Sequence, residues 1–326
     1  MSTAESHKSE KKSGKKKNIL LRVTDLCMYF DSAGKRIKAA EHVNFTIREG
    51  ETFGLVGESG SGKSTIGKCI IGLNKATDGS ITFGETELTG IKNHREYKEK
   101  MKDIQMIFQD PMSSLNPKKQ VGQTLREALM IQGVGRNREE QDAMVDEALT
   151  RVGIPVEYRN RYPHSFSGGQ RQRIGIARAL AGNPKLVIAD ECIAALDASV
   201  QAQIVNLLRK IKEEMGTSFL FISHDLSMVR FLSDRIGVLH LGYLLEEGVS
   251  EEIFRNPVHP YTRRLLSATP RLNPILQPEE EEVYDYESSG IHYGDGTWHK
   301  VAEGHRVFCT DAEFYLWIKK RKGGKA

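Results

Sequence analysis

Gly57-Glu58-Ser59-Gly60-Ser61-Gly62-Lys63-Ser64, followed by Thr65, is the stretch of this sequence that decides its fold. It fits the pattern G-x-x-x-x-G-K-[ST] and lies between an apolar run at 53–56 and a predicted helix at 64–73. Glycines let the backbone curl until successive N–H groups point at phosphate oxygens, and the positive end of the following helix adds to the attraction. The sequence therefore predicts a phosphate-binding loop between a strand and a helix.

Lys63 and Ser64 at the end of this loop indicate its ligands. The ammonium of Lys63 is suited to neutralise the outer phosphates of a nucleotide. Ser64 offers a hydroxyl to Mg²⁺, a cation that binds few protein oxygens besides the phosphates. We therefore expect ATP and Mg²⁺ at residues 57–65. A glycine turn that follows a strand by chance has the same pattern, so this prediction depends on the motifs that follow.

Two carboxylates follow another apolar run, at 186–189. Asp190 and Glu191 are thus predicted at the carboxyl end of a strand, the edge where ligands bind in open α/β sheets. We expect Asp190 to hold Mg²⁺ and Glu191 to orient and activate the water that attacks the γ-phosphate. The alternative is an ordinary acidic pair at a turn, which the presence of the phosphate loop disfavours.

Two more polar residues are predicted at the same edge. His224 follows the apolar run at 219–222, so its imidazole is placed to hydrogen-bond the γ-phosphate and the water. Gln109 ends the strand-like run at 104–108, and we expect it to contact Mg²⁺ or the water. Neither residue would indicate a site alone, because a histidine in this position is more often a turn residue.

The stretch Phe166-Ser167-Gly168-Gly169-Gln170 predicts a second phosphate clamp. Its turn opens a helix, so free N–H groups, the helix dipole and the Ser167 hydroxyl converge on one place. A helical insertion separates this clamp from Lys63, and we do not expect both to reach the same phosphate in one subunit. The pattern therefore predicts two subunits arranged head to tail, each giving residues 167–170 to the other's nucleotide.

Composition excludes several classes of protein. The chain has 326 residues with 47 Lys and Arg against 43 Asp and Glu, a formal net charge of +4. This small excess is only weak evidence for a nucleic-acid partner, and we expect none. Its apolar runs are far shorter than the roughly 20 residues that span a bilayer, and no signal peptide is recognised. The four cysteines form no C-x-x-C pair, which argues against a zinc or redox site.

Changes in composition divide the chain into three predicted parts. Residues 1–18 are a Lys-rich tail that is expected to be disordered and solvated. Residues 19–255 are predicted to form one α/β domain with a helical subdomain at about 110–165. Residues 256–326, rich in proline and with an acidic block at 279–282, are predicted to form a small and partly irregular extension.

Sequence patterns typical of strands and helices predict the secondary structure of the α/β domain. Antiparallel strands are predicted at 19–30 and 37–47, with a turn at Gly34-Lys35, ahead of the phosphate loop. Beyond the helical subdomain, buried strands alternate with helices, which is typical of a parallel sheet. The strands are predicted at 186–189, 218–222 and 236–241, and the helices at 170–181 and 199–215.

These motifs, in this order, resemble the ATP-binding-cassette (ABC) family over about residues 19 to 255. They correspond to its Walker A, Q-loop, signature, Walker B, D-loop and switch-histidine motifs. The segments 107–117 and 256–262 are similar to the oligopeptide/dipeptide importer ATPases. The segments 161–169 and 301–307 are similar to the second ATPase subunit of oligopeptide permeases.

The resemblance implies roles for residues that the patterns alone do not assign. It implies an aromatic ring early in the chain that stacks on adenine, which by position is Phe30, with Tyr29 as the alternative. It implies that Asp197 is the D-loop residue linking two composite ATP sites. It also implies hydrolysis of ATP, with all the predicted catalytic positions present: Lys63, Gln109, Glu191 and His224.

The resemblance also implies partners and a location. These are a second, homologous ATPase subunit, two transmembrane permeases whose coupling helices dock at residues 109–117, and an extracytoplasmic peptide-binding protein. The chain itself is expected at the cytoplasmic face of the cell membrane, as a peripheral subunit.

Three residues depart from the family pattern. Cys192 and Ala194 replace the usual proline and serine after Glu191, and Phe166 replaces the commoner leucine before Ser167. Since the fixed φ of proline is absent, the stiffness of the turn after Glu191 becomes a question for the structure.

Other functions share parts of this pattern. A soluble ABC protein acting on nucleic acid has only the Lys-rich tail in its favour. A regulatory cassette that does not hydrolyse ATP is disfavoured by Glu191 and His224, and an exporter is disfavoured by the segment 259–262. An importer of dipeptides, nickel or another small cargo remains the main alternative to an importer of oligopeptides.

Overall fold

The computed structural model of this chain describes residues 18–32, 34–91, 93–110, 115–268 and 284–323. Three sequence predictions therefore lie wholly or partly outside the described residues. They are the Lys-rich tail, residues 111–114 of the predicted docking region for coupling helices, and the acidic block at 279–282.

The described residues contain twelve strands in two sheets. In chain order they are β1 (Ile19–Ser32), β2 (Lys35–Arg48), β3 (Thr52–Val56), β4 (Asp78–Phe83), β5 (Thr86–Glu87), β6 (Ile104–Ile107), β7 (Leu186–Asp190), β8 (Ser218–Ser223), β9 (Arg235–His240), β10 (Tyr243–Val249), β11 (Thr297–Ala302) and β12 (His305–Cys309). One sheet has the order β2-β1-β4-β5, and the central sheet has the order β11-β12-β10-β9-β3-β8-β7-β6.

The first sheet is the antiparallel region predicted ahead of the phosphate loop. β1 pairs with β2 from Ile19 opposite Arg48 to Ser32 opposite Lys35, and β1 also pairs antiparallel with β4. The predicted antiparallel pairing is confirmed. Phe45 of β2 stacks on Phe53 of β3 with ring centroids 5.0 Å apart. This contact helps to hold the antiparallel sheet against one face of the central sheet.

The middle of the central sheet is parallel and buried on both faces. All residues of β3, β7 and β8 are buried. Along β7, Leu186 and Ile188 pack in one apolar cluster with the antiparallel sheet, whereas Val187 and Ala189 pack in another with the helices. Two covered faces explain why these strands read as continuous apolar runs rather than alternating ones.

Parallel pairing brings the ends of three strands to one edge. β3, β8 and β7 pair in register, with Val56 opposite Ser223 and Ile222 opposite Asp190. The residues that follow these strands, Gly57, His224 and Glu191, therefore begin at the same edge of the sheet. This is the edge predicted from the sequence for the site.

Ten α-helices lie in the described residues. They are α1 (Lys63–Ile70), α2 (His94–Lys102), α3 (Val121–Gln132), α4 (Arg138–Arg151), α5 (Gly168–Leu180), α6 (Ala198–Met215), α7 (Leu226–Leu232), α8 (Ser250–Arg255), α9 (Pro260–Ser267) and α10 (Asp311–Gly323). Helices α3 and α4 lie in the region predicted as a helical insertion, and an ion pair between Arg126 and Asp142 links them. Buried Leu125, Leu129 and Leu149 form part of their shared core.

Helix α1 is shorter than its sequence pattern predicts. It begins at Lys63 and ends at Ile70, three residues before Leu73. The chain leaves the helix because Gly72 takes a left-handed φ of 71°, and the N–H groups of Leu73 and Asn74 both bond to the Lys68 carbonyl. This is the way in which glycine commonly ends a helix.

The described part of the C-terminal extension is more regular than the sequence suggested. β11 and β12 form a hairpin, and β12 pairs with β10 through Glu246 opposite Val307 and Glu247 opposite Arg306. The described part of the extension therefore adds two strands to the central sheet. The missed signal is the Glu303-Gly304 turn between two short runs, 297–302 and 305–309, that contain aromatic and β-branched residues.

Candidate functional site

The predicted phosphate loop, residues 57–65, joins β3 to α1 and has a shape that only glycine allows at two positions. A Cβ atom on Gly57 would lie 2.0 Å from the carbonyl oxygen of Leu239, and one on Gly62 would lie 1.8 Å from that of Ala39. Both glycines also have positive φ angles, 156° and 105°. The curled backbone is thus built into its surroundings, because the loop is packed against β2 and β9.

Lys63 fills the inside of this loop. Its ammonium donates to the carbonyl oxygens of Gly57 and Glu58 at 2.9 and 2.8 Å, and to the hydroxyl of Ser61 at 3.4 Å. The residue is only 3% exposed. Burial lowers the pKa of Lys63, while Glu191 and Asp190 act in the opposite direction. The side chain is therefore held by acceptors at the position where the sequence predicts contact with phosphate.

Ser64 and Asp190 meet beside the loop. The Ser64 hydroxyl donates to Asp190 Oδ1 at 2.6 Å, and Asp190 is 4% exposed. Burial raises the pKa of Asp190, and the Ser64 bond opposes that shift. Two hard oxygen donors side by side fit a magnesium ion that completes its shell with phosphate and water. Among the described residues, no cluster of three or more His, Cys, Asp or Glu side chains offers a metal site built from protein alone.

Glu191 is the centre of the predicted catalytic residues. Its Oε2 accepts from Gln109 Nε2 at 3.1 Å, and its Oε1 lies 3.5 Å from His224 Nδ1 and 3.9 Å from Lys63 Nζ. The carboxylate is 14% exposed, whereas the imidazole is 52% exposed. The structure thus brings three residues from distant parts of the sequence around the Glu191 carboxylate, and that carboxylate still reaches solvent.

The backbone of Glu191 is strained. Its φ is 44°, in the left-handed region that non-glycine residues rarely adopt. Its N–H donates to the Ile222 carbonyl at 3.0 Å, which fixes the residue to β8. Strain of this kind costs on the order of 1 kcal/mol and often occurs at functional sites, where it directs a side chain.

The turn after Glu191 keeps a hydrogen-bonded backbone although proline is absent. Its backbone is closed by bonds from the Ala194 N–H to the Glu191 carbonyl and from the Leu196 N–H to the Ile193 carbonyl. The side chain of Cys192 is buried, and burial raises the pKa of its thiol to about 12. Cys192 therefore acts as a packed apolar residue that anchors the turn.

Asp197 caps its own helix. Its carboxylate accepts from the Val200 N–H at 3.0 Å and from the Ser199 hydroxyl at 2.7 Å. The Ser199 bond is the main reason that the pKa of Asp197 is lowered. Within one subunit Asp197 thus fixes the start of α6, and its expected role between two sites remains a prediction.

The second clamp, residues 167–170, opens α5 as predicted. The Ser167 hydroxyl accepts from the Gln170 N–H at 3.3 Å, and the Gln170 side chain accepts from the Ser167 N–H at 3.0 Å. Ser167 and Gly168 are exposed. A Cβ on Gly169 would lie 2.6 Å from Val200 Cγ1, so a side chain there would collide with α6. The helix N-terminus faces outward, where another subunit has access to it.

The two aromatic candidates for adenine differ in their surroundings. Phe30 is 39% exposed. Tyr29 lies under Arg36, whose guanidinium carbon is 5.6 Å from the ring centroid. A hydrogen bond with Cys27, with smaller effects of burial and Glu41, raises the pKa of Tyr29. Phe30 therefore presents the freer ring.

The sequence did not assign any role to Tyr261 and Arg264, which contact the phosphate loop from α9. The Tyr261 hydroxyl accepts from the Glu58 N–H at 3.0 Å, and Arg264 Nη2 lies 3.5 Å from Glu58 Oε1. The segment 256–262 is similar to importer ATPases, but this similarity gives no role for these two side chains.

Comparisons with known proteins agree with one another. The ABC transporter family profile matches residues 40–194, and the profile of the oligopeptide/dipeptide transporter C-terminal region matches residues 245–289. The oligopeptide transport ATP-binding protein OppF of Bacillus subtilis (strain 168) is 46% identical over 297 residues, which cover 90% of this chain and 97% of that protein. The oligopeptide transport ATP-binding protein AmiF of Streptococcus pneumoniae is 46% identical over 301 residues, 92% of this chain and 98% of that protein.

Solved structures give the same picture. A dimeric structure of the ATP-binding cassette MJ0796 in a post-hydrolysis state, bound to ADP and Pi, matches with a TM-score of 0.65 and 30% identity, covering 71% of this chain and 99% of that one. The cbiO1 structure from Clostridium perfringens, part of the transporter complex cbiONQ, matches with a TM-score of 0.65 and 27% identity, covering 73% and 92%. In the part of the chain that the structure describes, no helix is both long and apolar enough to span a bilayer.

Proposed function

Since the chain belongs to the ABC transporter family, we propose that it binds and hydrolyses ATP to energise the import of oligopeptides. The family and the α/β fold class predicted from the sequence are confirmed. The observation that carries the proposal is the grouping of Lys63, Gln109 and His224 around the carboxylate of Glu191. A carboxylate that lies next to a phosphate loop and reaches solvent is suited to activate a water molecule for attack on a bound nucleotide.

In this proposal each group of residues in the site has its own role. Loop N–H groups within residues 57–65, other than the Glu58 N–H that donates to Tyr261, bind the phosphates together with the Lys63 ammonium. Ser64 and Asp190 hold Mg²⁺, with Gln109 as a further contact. Mg²⁺ supplies positive charge to the phosphate oxygens when bound. Glu191 accepts the proton of the attacking water, and His224 orients that water and the γ-phosphate.

Hydrolysis in this proposal requires two cassettes. The N-terminus of α5 is exposed and its hydrogen bonds at Ser167 and Gln170 are local, so its remaining N–H groups are available to a nucleotide on another subunit. The MJ0796 cassette, which this chain resembles, is dimeric in its solved structure. We propose a head-to-tail pair with a homologous but different ATPase subunit, in which residues 167–170 complete the partner's site.

The remaining partners and the cargo follow from the relatives. OppF and AmiF are named for oligopeptide transport, and their similarity covers nearly the whole of this chain. We propose two transmembrane permeases, an extracytoplasmic peptide-binding protein and a peripheral location at the cytoplasmic face of the membrane. An importer of dipeptides, nickel or another small cargo is the alternative.

Isolation of the chain from its native membrane under mild conditions tests this proposal. We expect a second cassette and two permeases to co-purify, with Mg²⁺-dependent ATPase activity that rises when peptide-loaded binding protein is added. Stimulation by dipeptides alone would favour the alternative cargo. Co-purification with ribosomes or nucleic acid, without permeases, would contradict the importer.

Phe30→Ala is expected to weaken ATP binding about 5- to 150-fold, since stacking on an aromatic ring contributes roughly 1–3 kcal/mol per base. The affinity of the isolated chain for a fluorescent ATP analogue labelled on the ribose measures this effect. Tyr29→Ala is the matched comparison, and we expect it to change the affinity much less. A larger loss for Tyr29→Ala than for Phe30→Ala would assign the stacking role to Tyr29.

A further inference from the structure

Helix α9 of the C-terminal extension contacts the phosphate loop directly. The side chain of Tyr261 is completely buried, and its hydroxyl accepts a hydrogen bond from the Glu58 N–H at 3.0 Å. One turn further along α9, Arg264 lies 3.5 Å from the Glu58 carboxylate. Two side chains of the extension therefore meet one residue of the loop.

The Tyr261 bond acts on the peptide unit that also holds Lys63. The Glu58 N–H and the Gly57 carbonyl belong to the same peptide plane. The N–H donates to Tyr261, and the carbonyl accepts from the Lys63 ammonium at 2.9 Å. Rotation of this peptide plane would break both bonds at once and would leave buried polar groups unpaired, at a cost of about 1–3 kcal/mol for each.

The Tyr261 ring is fixed by other aromatic rings. It stacks on His240, the last residue of β9, with centroids 4.0 Å apart, and it meets Tyr284 edge to face at 5.9 Å. His240 Nδ1 is 2.7 Å from the Tyr293 hydroxyl, which is 2.9 Å from the Tyr284 hydroxyl. Burial lowers the pKa of His240 to about 4, so the ring that supports Tyr261 is neutral at physiological pH.

A buried carboxylate fixes the start of α9 to the central sheet. Glu246 of β10 is fully buried and accepts from the N–H groups of Val258 and His259 at 2.8 and 3.0 Å. Its Oε1 is also 2.7 Å from His305 Nε2, on β12. Tyr261 is therefore attached to a rigid base made of β10 and β12, and its hydroxyl has little freedom to follow a moving loop.

We propose that Tyr261 is a positioning residue for the phosphate loop, and that the C-terminal extension thereby sets the orientation of the Gly57–Glu58 peptide and of the Lys63 ammonium. This inference rests on the proposed ATPase function and adds a role for the extension to it. Tyr261 acts through Glu58 and Lys63, so it belongs to the support of the site and not to the groups that touch the nucleotide.

Tyr261→Phe is the direct test, because it removes one oxygen and keeps the ring stacked on His240. We expect the affinity of the isolated full-length chain for a fluorescent ATP analogue to fall about five- to tenfold, because one hydrogen bond is lost and a partly buried donor is left unpaired. In the assembled transporter we expect KM for ATP to rise by a similar factor, with a smaller change in kcat.

Tyr284→Phe is the matched control. It removes a buried hydroxyl that bonds to Tyr293 and leaves the phosphate loop untouched. Any general loss of stability in the aromatic cluster will appear in both variants when their urea unfolding is compared. Amide hydrogen exchange of the nucleotide-free chain gives a second readout, and we expect faster exchange at the peptide of residue 58 in Tyr261→Phe than in Tyr284→Phe.

The outcomes separate this inference from the proposed function. If Tyr261→Phe binds ATP with unchanged affinity and exchanges normally at residue 58, while Lys63→Ala loses ATP, the positioning role is wrong and the ATPase proposal stands. Equal losses in Tyr261→Phe and Tyr284→Phe would also overturn the positioning role. If Lys63→Ala binds ATP normally, the proposed site itself fails.

Discussion

Glu191→Gln is expected to lower ATP turnover at least about a hundredfold while leaving ATP binding intact, by analogy with the loss of one positioned catalytic group. Glutamine keeps the size and shape of the side chain but cannot accept a proton from water. The substituted residue still meets Gln109, His224 and Lys63, which lie within 3.9 Å of the native carboxylate oxygens. The loss should therefore appear in kcat rather than in the affinity for ATP.

Phosphate release by the assembled transporter measures the predicted loss of turnover. ATP binding by the isolated chain measures the affinity, which we expect to be unchanged. Glu213→Gln, on the exposed face of α6, is the matched control and should change neither quantity. Turnover near the wild-type rate in Glu191→Gln would rule out Glu191 as the general base. A large loss of ATP binding would mean that the carboxylate supports the loop more than it acts on water.

Lys63→Ala is expected to remove most of the ATP binding that Glu191→Gln retains. The ammonium is the cation inside the phosphate loop, and hydrogen bonds from a charged donor are worth about 1.5–3 kcal/mol each. Loss of two such bonds to phosphate oxygens predicts an affinity at least about a hundredfold lower. It also leaves three acceptors of the loop, on Gly57, Glu58 and Ser61, without their donor.

Stabilisation of the fold by ATP gives a measurement that does not depend on turnover. At an ATP concentration about 100 times Kd, the wild-type chain gains about 2.7 kcal/mol in free energy of unfolding. At that same concentration, a variant with a hundredfold higher Kd gains only about 0.4 kcal/mol. Lys75→Ala, an exposed lysine beyond α1, is the control and should behave as wild type. An equal gain for wild type and Lys63→Ala would contradict the assignment of the loop.

The parts of the site that follow strands were predictable because strand ends share an edge. The pattern of the phosphate loop and the residues at the ends of β7 and β8 predict from the sequence alone that Gly57, Asp190, Glu191 and His224 lie together. The structure adds the distances among them, and it adds the left-handed backbone of Glu191. That conformation is set by the bond to Ile222 on another strand, so local sequence does not carry it.

The contacts of the C-terminal extension could not be predicted from the sequence. Tyr261 meets Glu58 across more than 200 residues of chain, and no local periodicity encodes such a contact. The sequence of β11 and β12 has the pattern of a hairpin, but the pairing of β12 with β10 depends on how well these two strands fit each other. The partner contacts that we propose for Ser167 and Asp197 would likewise involve two chains, and a single sequence gives only one side of them.

The attachment of β12 to β10 also changes what a shortened version of this chain would be. The MJ0796 cassette spans 71% of this chain, so a chain ended after Arg255 would seem to retain a whole cassette. Such a chain would leave β10 as an unprotected edge with free N–H and C=O groups, the kind of surface on which other chains add as new strands. The carboxylate of Glu246 would meanwhile lose all its donors at Val258, His259 and His305. The solubility of this chain, and not only its activity, would therefore depend on the residues that follow Arg255.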